Sequence, residues 1–191
     1  MKKFFVFATM ALAGITAFAQ PKFAHVNLNE LVQLMPEMDE ARTAMNASSK
    51  EANETYMAMV EEFNSKAQAY QQKASSWTPA IRESKEKELN EIQGRIQEFQ
   101  ESIQAELQQQ QQQLMAPIYK KATDTVNAIA KEAGYIFVFE VSQLIYVDAQ
   151  QSTDITPQAR EKLGIPADRT LESLQAELQA QAQNSAIGAQ N

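Results

Sequence analysis

No cysteine occurs anywhere in the 191 residues, and histidine occurs once, at His25. The first absence removes disulfides, thiol nucleophiles and cysteine-based zinc sites, and the second removes any multi-histidine metal centre. Glycine is nearly as scarce, at five residues. That argues against the positive-φ turns of an all-β sandwich and against the backbone cradles that hold phosphates. Charged residues make up 21% of the chain, an ordinary share for a soluble protein and too large for a membrane protein. With no nucleophile and base pair, metal cluster or phosphate loop in view, the chain is expected to be no enzyme and to carry no cofactor. A helix-rich protein that works through shape and surface is the class left standing.

The first residues read as an export address. Lys2 and Lys3 precede an uncharged apolar run from Phe4 to Thr16, and Ala17-Phe18-Ala19 is a small-x-small cleavage pattern. The apolar run is shorter than the roughly 20 residues that span a bilayer, which disfavours an uncleaved anchor. Cleavage after Ala19, with export of the remainder, is therefore predicted for residues 1–19. Loss of Lys2 and Lys3 moves the formal net charge from −7 to −9, a sign that argues against general nucleic-acid binding.

In the remainder the hydrophobic period changes twice. Residues 22–27, KFAHVN, alternate as a short strand, with Asn27 or Asn29 placed to cap a short helix that reaches Met35. These form the first body segment, 20–35. His25 on this strand reads as structural. From Pro36 the apolar positions Met38, Met45, Ala52, Tyr56, Met59, Phe63, Ala67, Tyr70, Ala74 and Trp77 fall at steps of three, four or seven, a heptad-like helical seam. Thr78-Pro79 is a cap followed by an N1 proline. A second stripe runs through Leu89, Ile92, Ile96, Phe99, Ile103 and Leu107. Two such helices joined by a short turn make an antiparallel hairpin over 36–116 with its tip at about 75–79. At 1.5 Å per residue, helices over 37–75 and 80–133 run to roughly 58 and 80 Å, far beyond a compact body with a radius of gyration near 16 Å, so the hairpin must project as an arm.

Pro117 inside the second helix is expected to disturb it locally and to mark the junction with the body, 117–164. Gly134 is placed as a helix stop, and Tyr135–Val141 (YIFVFEV) with Leu144–Val147 (LIYV) reads as a strand pair or hairpin. Thr156-Pro157 is expected to cap a last helix closed by Leu163-Gly164. The Ala/Gln-rich tail 165–191 reads as weak helix or disorder. The fold class is α+β, mostly helical: a small β-rich body bearing a long, coiled-coil-like hairpin arm.

These pieces resemble a known family. A signal peptide, a first strand followed by NLNELVQLMPEMDEA, a long Gln/Glu-rich hairpin, APIYKKATDTVNAIAKEAGYIFVFEVSQLIYVD and a DIT motif together resemble the Skp/OmpH family of periplasmic chaperones. The resemblance implies a homotrimer joined through the β-rich body, with three arms enclosing a cavity for unfolded outer-membrane proteins. A structural coiled-coil protein of the envelope is the alternative.

The residues nominate two surfaces. Apolar side chains alternate on both faces of the strands, which one small sheet cannot cover, so Phe23, Val26, Tyr135, Phe137, Phe139, Ile145 and Val147 are assigned to self-association; cover by the last helix and tail is the alternative. On the arm, Met57 lies off the seam and is assigned to client contact. So are Lys66, Lys73, Arg82, Lys85 and Lys87, which against Glu83 and Glu86 leave the tip at +3. Such a tip steers acidic unfolded chains or touches an anionic membrane surface; a solvated helix face with local ion pairs is the competing reading.

Overall fold

A computed structural model describes residues 21–188, with side chains to residue 184; the expected signal peptide lies outside the described residues. Strand β1 (Phe23–Val26) is followed by helix α1 (Leu28–Leu34). Asn27 caps α1: its side-chain oxygen accepts from the Glu30 amide at 3.0 Å and its side-chain nitrogen donates to the Glu30 carboxylate at 3.2 Å. The two residues thereby hold each other at the start of the helix. Met35 is extended (ψ 140°) and separates α1 from α2 (Pro36–Lys73), with Pro36 preset for the first helical position.

After a single 3₁₀ turn, Ala74–Ser76, helix α3 runs from Pro79 to Ala133 without interruption. The Thr78 hydroxyl accepts from the Ile81 amide at 3.4 Å, as expected for the cap. The helix continues through Pro117. Its stripe serves two purposes in sequence: Ile92 and its neighbours meet α2 in the arm, and Ile118, Ala122, Val126 and Ile129 are buried in the body. Gly134, at φ +73°, stops it in the left-handed conformation that favours glycine.

The body differs from the expected strand pair. Strand β2 (Phe137–Glu140) and strand β3 (Ser152–Asp154) lie on opposite sides of β1, and both are parallel to it. Phe23 pairs with Phe137 on one side and Ser152 on the other. Leu144–Val147 forms no strand, and the outer edge of β2, which it was expected to pair with, stays open. Glu140 accepts from the Leu28 amide at 2.7 Å, and its carboxylate takes the Ser142 amide into a 3₁₀ turn at Val141–Gln143 that ends β2. The connection then returns to the start of β3, and Leu144, Tyr146 and Val147 line a cleft with Phe23 and Phe139.

Helix α4 (Thr156–Lys162) follows β3. Thr156 is not its cap; Ile155 holds that position and Thr156 is buried, its hydroxyl accepting from the Asn27 amide at 3.0 Å. The tail is structured, as helix α5 (Leu171–Gly188). The core lies on one side of the sheet, where Ala24 and Val26 meet Leu31, Met35, Ile129, Ile155 and Leu174.

Two glycines make a paired prediction. Gly94 lies mid-helix with nothing within 4 Å of an added Cβ, so Gly94→Ala should raise stability by about 0.5–1 kcal/mol. Gly134→Ala forces a side chain into the left-handed region and should lower it by about 1–2 kcal/mol. Urea unfolding followed by circular dichroism reads both, and opposite shifts of the midpoint are the expected outcome.

Candidate functional site

Side chains alternate across a strand, so the sheet has a second face. On it Phe23 stacks on Phe137 with ring centroids 6.4 Å apart, and Phe137 lies 6.0 Å from Phe139. Phe137 is 59% exposed and Phe139 42%, and nearby Ile145 is fully exposed. Neither α4 nor α5 covers this face: Ala159 and Leu174 are buried in the core on the opposite side. Of the residues assigned to self-association, Phe23, Phe137, Phe139, Ile145 and Val147 thus lie on or beside the open side. Val26 does not. It points into the chain's own core, as the period of two requires of a neighbour of His25, and Tyr135 packs against the same core.

His25 lies on the open side and its Nδ1 is 2.9 Å from the Ser152 hydroxyl. Asn27, Glu30, Asp154, Thr156 and Arg160 share a cleft with it. The polar side chains are largely spent on one another there: Arg160 donates to Glu30 at 2.7 Å, and Asp154 accepts from the Thr156 amide at 2.8 Å. Among the described residues no group of three or more His, Asp or Glu side chains is arranged to hold a metal ion.

On the arm, the seam residues named from sequence are all at least half-buried, and Met57 is 56% exposed. Between Ser48–Thr55 and Phe99–Gln113 the two helices leave a cleft of about 620 Å³. The small Ser48 and Ala52 face Ile103 and Leu107 there, and Gln110 donates to Ser48 at 2.8 Å in place of an apolar contact.

The basic tip is divided. Lys66 crosses from α2 to the Glu88 carboxylate of α3, and Lys85 reaches the same carboxylate at 2.8 Å. These two ammonium groups pull Glu88 from 4.5 down to about 2, Lys66 contributing most. Lys66 is raised in turn by its bond to Glu88. Lys66 is therefore a clasp between the arm's two helices. Lys87 is loosely paired with Glu91 at 3.9 Å, while Lys73 and Arg82 make no ion pair among the described residues. Beside them the Tyr70 hydroxyl donates to Glu86, and Tyr70 meets Trp77 edge-on at 5.8 Å. Glu88 lies one residue past Lys87 and so outside the charges that the sequence assigns to the tip; the i, i+3 spacing of Lys85 and Glu88 is the signal for it.

A strand leading through a long helical hairpin to a parallel strand on a three-stranded body is matched by one family model, outer membrane protein (OmpH-like), over residues 22–163. The chain belongs to the OmpH-like family. That family is known for periplasmic chaperones of outer-membrane proteins. No curated protein matches the chain. Among the described residues no helix is long and apolar enough to cross a membrane. The OmpH-like match takes in the sheet, both legs of the arm and α4, and stops before α5.

The clasp predicts an acid response. A carboxylate whose pKa is depressed in the folded state stabilises that state fully above its ordinary value and loses the contribution as pH falls through the depressed one. For Glu88 that window runs from about 4.5 down to about 2. A carboxyl-carbon NMR titration of Glu88 should have its midpoint near 2, and Lys66→Met should move that midpoint upward toward 4.5.

Proposed function

We propose that this chain is an ATP-independent periplasmic holdase that takes up unfolded outer-membrane proteins between helical arms of a homotrimer. The observation that carries this reading is the open aromatic face of the sheet. A patch in which Phe137 and Phe139 are exposed beside a half-buried Phe23, on so small a body, is the kind of surface that a second copy covers. Joining copies through the body leaves each arm free, so several arms border one space.

The arm suits clients of many sequences. Met57 offers a flexible, polarizable contact, and Lys73, Arg82, Lys85 and Lys87 give the tip a cationic character that attracts acidic segments. No single contact need be strong, because several arms acting on one chain raise avidity well above each separate affinity. Cleavage after Ala19 would deliver the chain to the compartment in which such clients are unfolded. Contact of the tip with an anionic membrane surface is compatible with the same cations, Lys73 and Arg82 being the ones without an ion pair among the described residues.

A holdase and a purely structural coiled-coil protein separate in one assay. Rapid dilution of a urea-unfolded outer-membrane barrel into the mature chain should give little turbidity at one trimer per client, while a structural protein would self-assemble and leave turbidity unchanged. Light scattering should report three chains per particle. Phe137→Asp, which places a charge in the joint, should yield monomers that keep their helical circular dichroism and suppress aggregation at least about tenfold less well, since the multivalent gain is gone.

A further inference from the structure

The segment beyond the family match folds back onto the foot of the arm. After α4 the chain turns at Gly164, at φ +70°, the Ile165 amide bonds to the Arg160 carbonyl at 2.9 Å, and Ile165 is buried. Helix α5 then buries Leu174, 4% exposed, in the same core as Met35 and Met38. Two arginines fasten this return. Arg160 donates to Glu30 of α1 at 2.7 Å and to the carbonyls of Pro166, at 3.1 Å, and Arg169. Arg169, 19% exposed at its side chain, donates at 2.6 Å to Asp39 in the first turn of α2. The same carboxylate oxygen accepts from Arg42 at 2.8 Å, and Arg42 also donates to the Gln33 carbonyl of α1 at 2.9 Å. A continuous set of bonds therefore spans the joint at Met35, where the backbone is extended between two helices.

The two legs of the arm enter the body differently. Helix α3 passes into the core as one uninterrupted helix, whereas α2 begins at the foot, follows α1 after one extended residue, and buries only Met38 and Ala41 in the core. Two packed helices closed by a turn at the tip bend by sliding past one another, and the slide has to be taken up at the open end. Midway, the two helices are parted by the cleft between Ser48–Thr55 and Phe99–Gln113, which Gln110 bridges to Ser48. The foot of α2 is where the arm's stiffness is decided. Lys121 of α3 pairs with Glu37 there, but the lysine is half exposed, so salt weakens that tie.

We infer that residues 164–174 are a strap that pins the foot of α2 and so limits how far the arm flexes. The strap rests on intrachain geometry and is independent of what the arm binds or how many copies assemble.

Because the chain lacks cysteine, Asn64→Cys on α2 and Gln158→Cys on α4, both exposed, accept spin labels at those positions alone. Asn64 lies beyond the cleft and about 42 Å along α2 from its start. Pulsed dipolar spectroscopy on the full mature chain, diluted with unlabelled chain, reads the spread of that distance. Arg169→Gln and Leu174→Gln should each widen the distribution at least about 1.5-fold with helical content kept, as release of a shear constraint requires. Leu178→Gln, a more exposed position on the same helix, should leave it unchanged. If Leu174→Gln does not fold, Arg169→Gln decides alone. A distribution as narrow as that of the parent in Arg169→Gln, or equal widening by Leu178→Gln, would overturn the strap. Neither result bears on aggregation suppression, so the strap and the holdase reading stand or fall separately.

Discussion

The apolar stripe of α3 is the constraint on which the rest of the architecture depends. One helix of 55 residues has to satisfy two partners in succession: α2 along the arm and the sheet with α1 and α4 in the body. Because the rod is continuous, the rotational phase of the stripe in the arm is fixed by its phase in the core, and a slip of one residue turns the stripe by about 100°. The direction of the arm's inner seam is thereby tied to the body from which it springs. An OmpH-like fold obtains a long lever from a small core because the same helix is both.

Much of this was legible in the sequence, since helices advertise themselves locally. The three- and four-residue steps placed α2 and α3, Asn27 and Thr78 proved to be caps, and Gly134 ended a helix as its lack of a Cβ allows. The sheet was less legible. YIFVFEV supplies β2 on one side of β1, yet the other side went not to LIYV but to Ser152–Asp154, three polar residues whose pairing follows from chain connectivity and the Ile155 anchor that comes next. Propensity measures fit to a half-buried pleat, and an edge strand this short needs little of it. The same limitation hid the inward orientation of Val26. Its place opposite His25 in the alternation was readable, but which of the two faces would be buried was not.

Charge was legible only in sum. A stretch of five cations and two acids looked like an attractive tip, but the structure commits Lys66 to the helix pair and leaves Lys73 and Arg82 without ion pairs. The tail was understated for a related reason. A segment rich in alanine and glutamine has little to bury, and Ile165, Leu174 and Arg169 are what dock it; three scattered residues do not make a period.

The placement of β1 at the centre of the sheet has a temporal consequence. Its partners begin at Phe137 and Ser152, with the whole arm between. A chain entering its compartment from the N-terminal end presents the central strand first and must hold it unpaired until the arm and then β2 have followed. The hairpin can form from contacts within its own length, whereas the sheet closes only through distant ones, so the order is set by topology: arm first, body last. The aromatic face comes into being with β2, so it does not exist until a chain has almost finished folding.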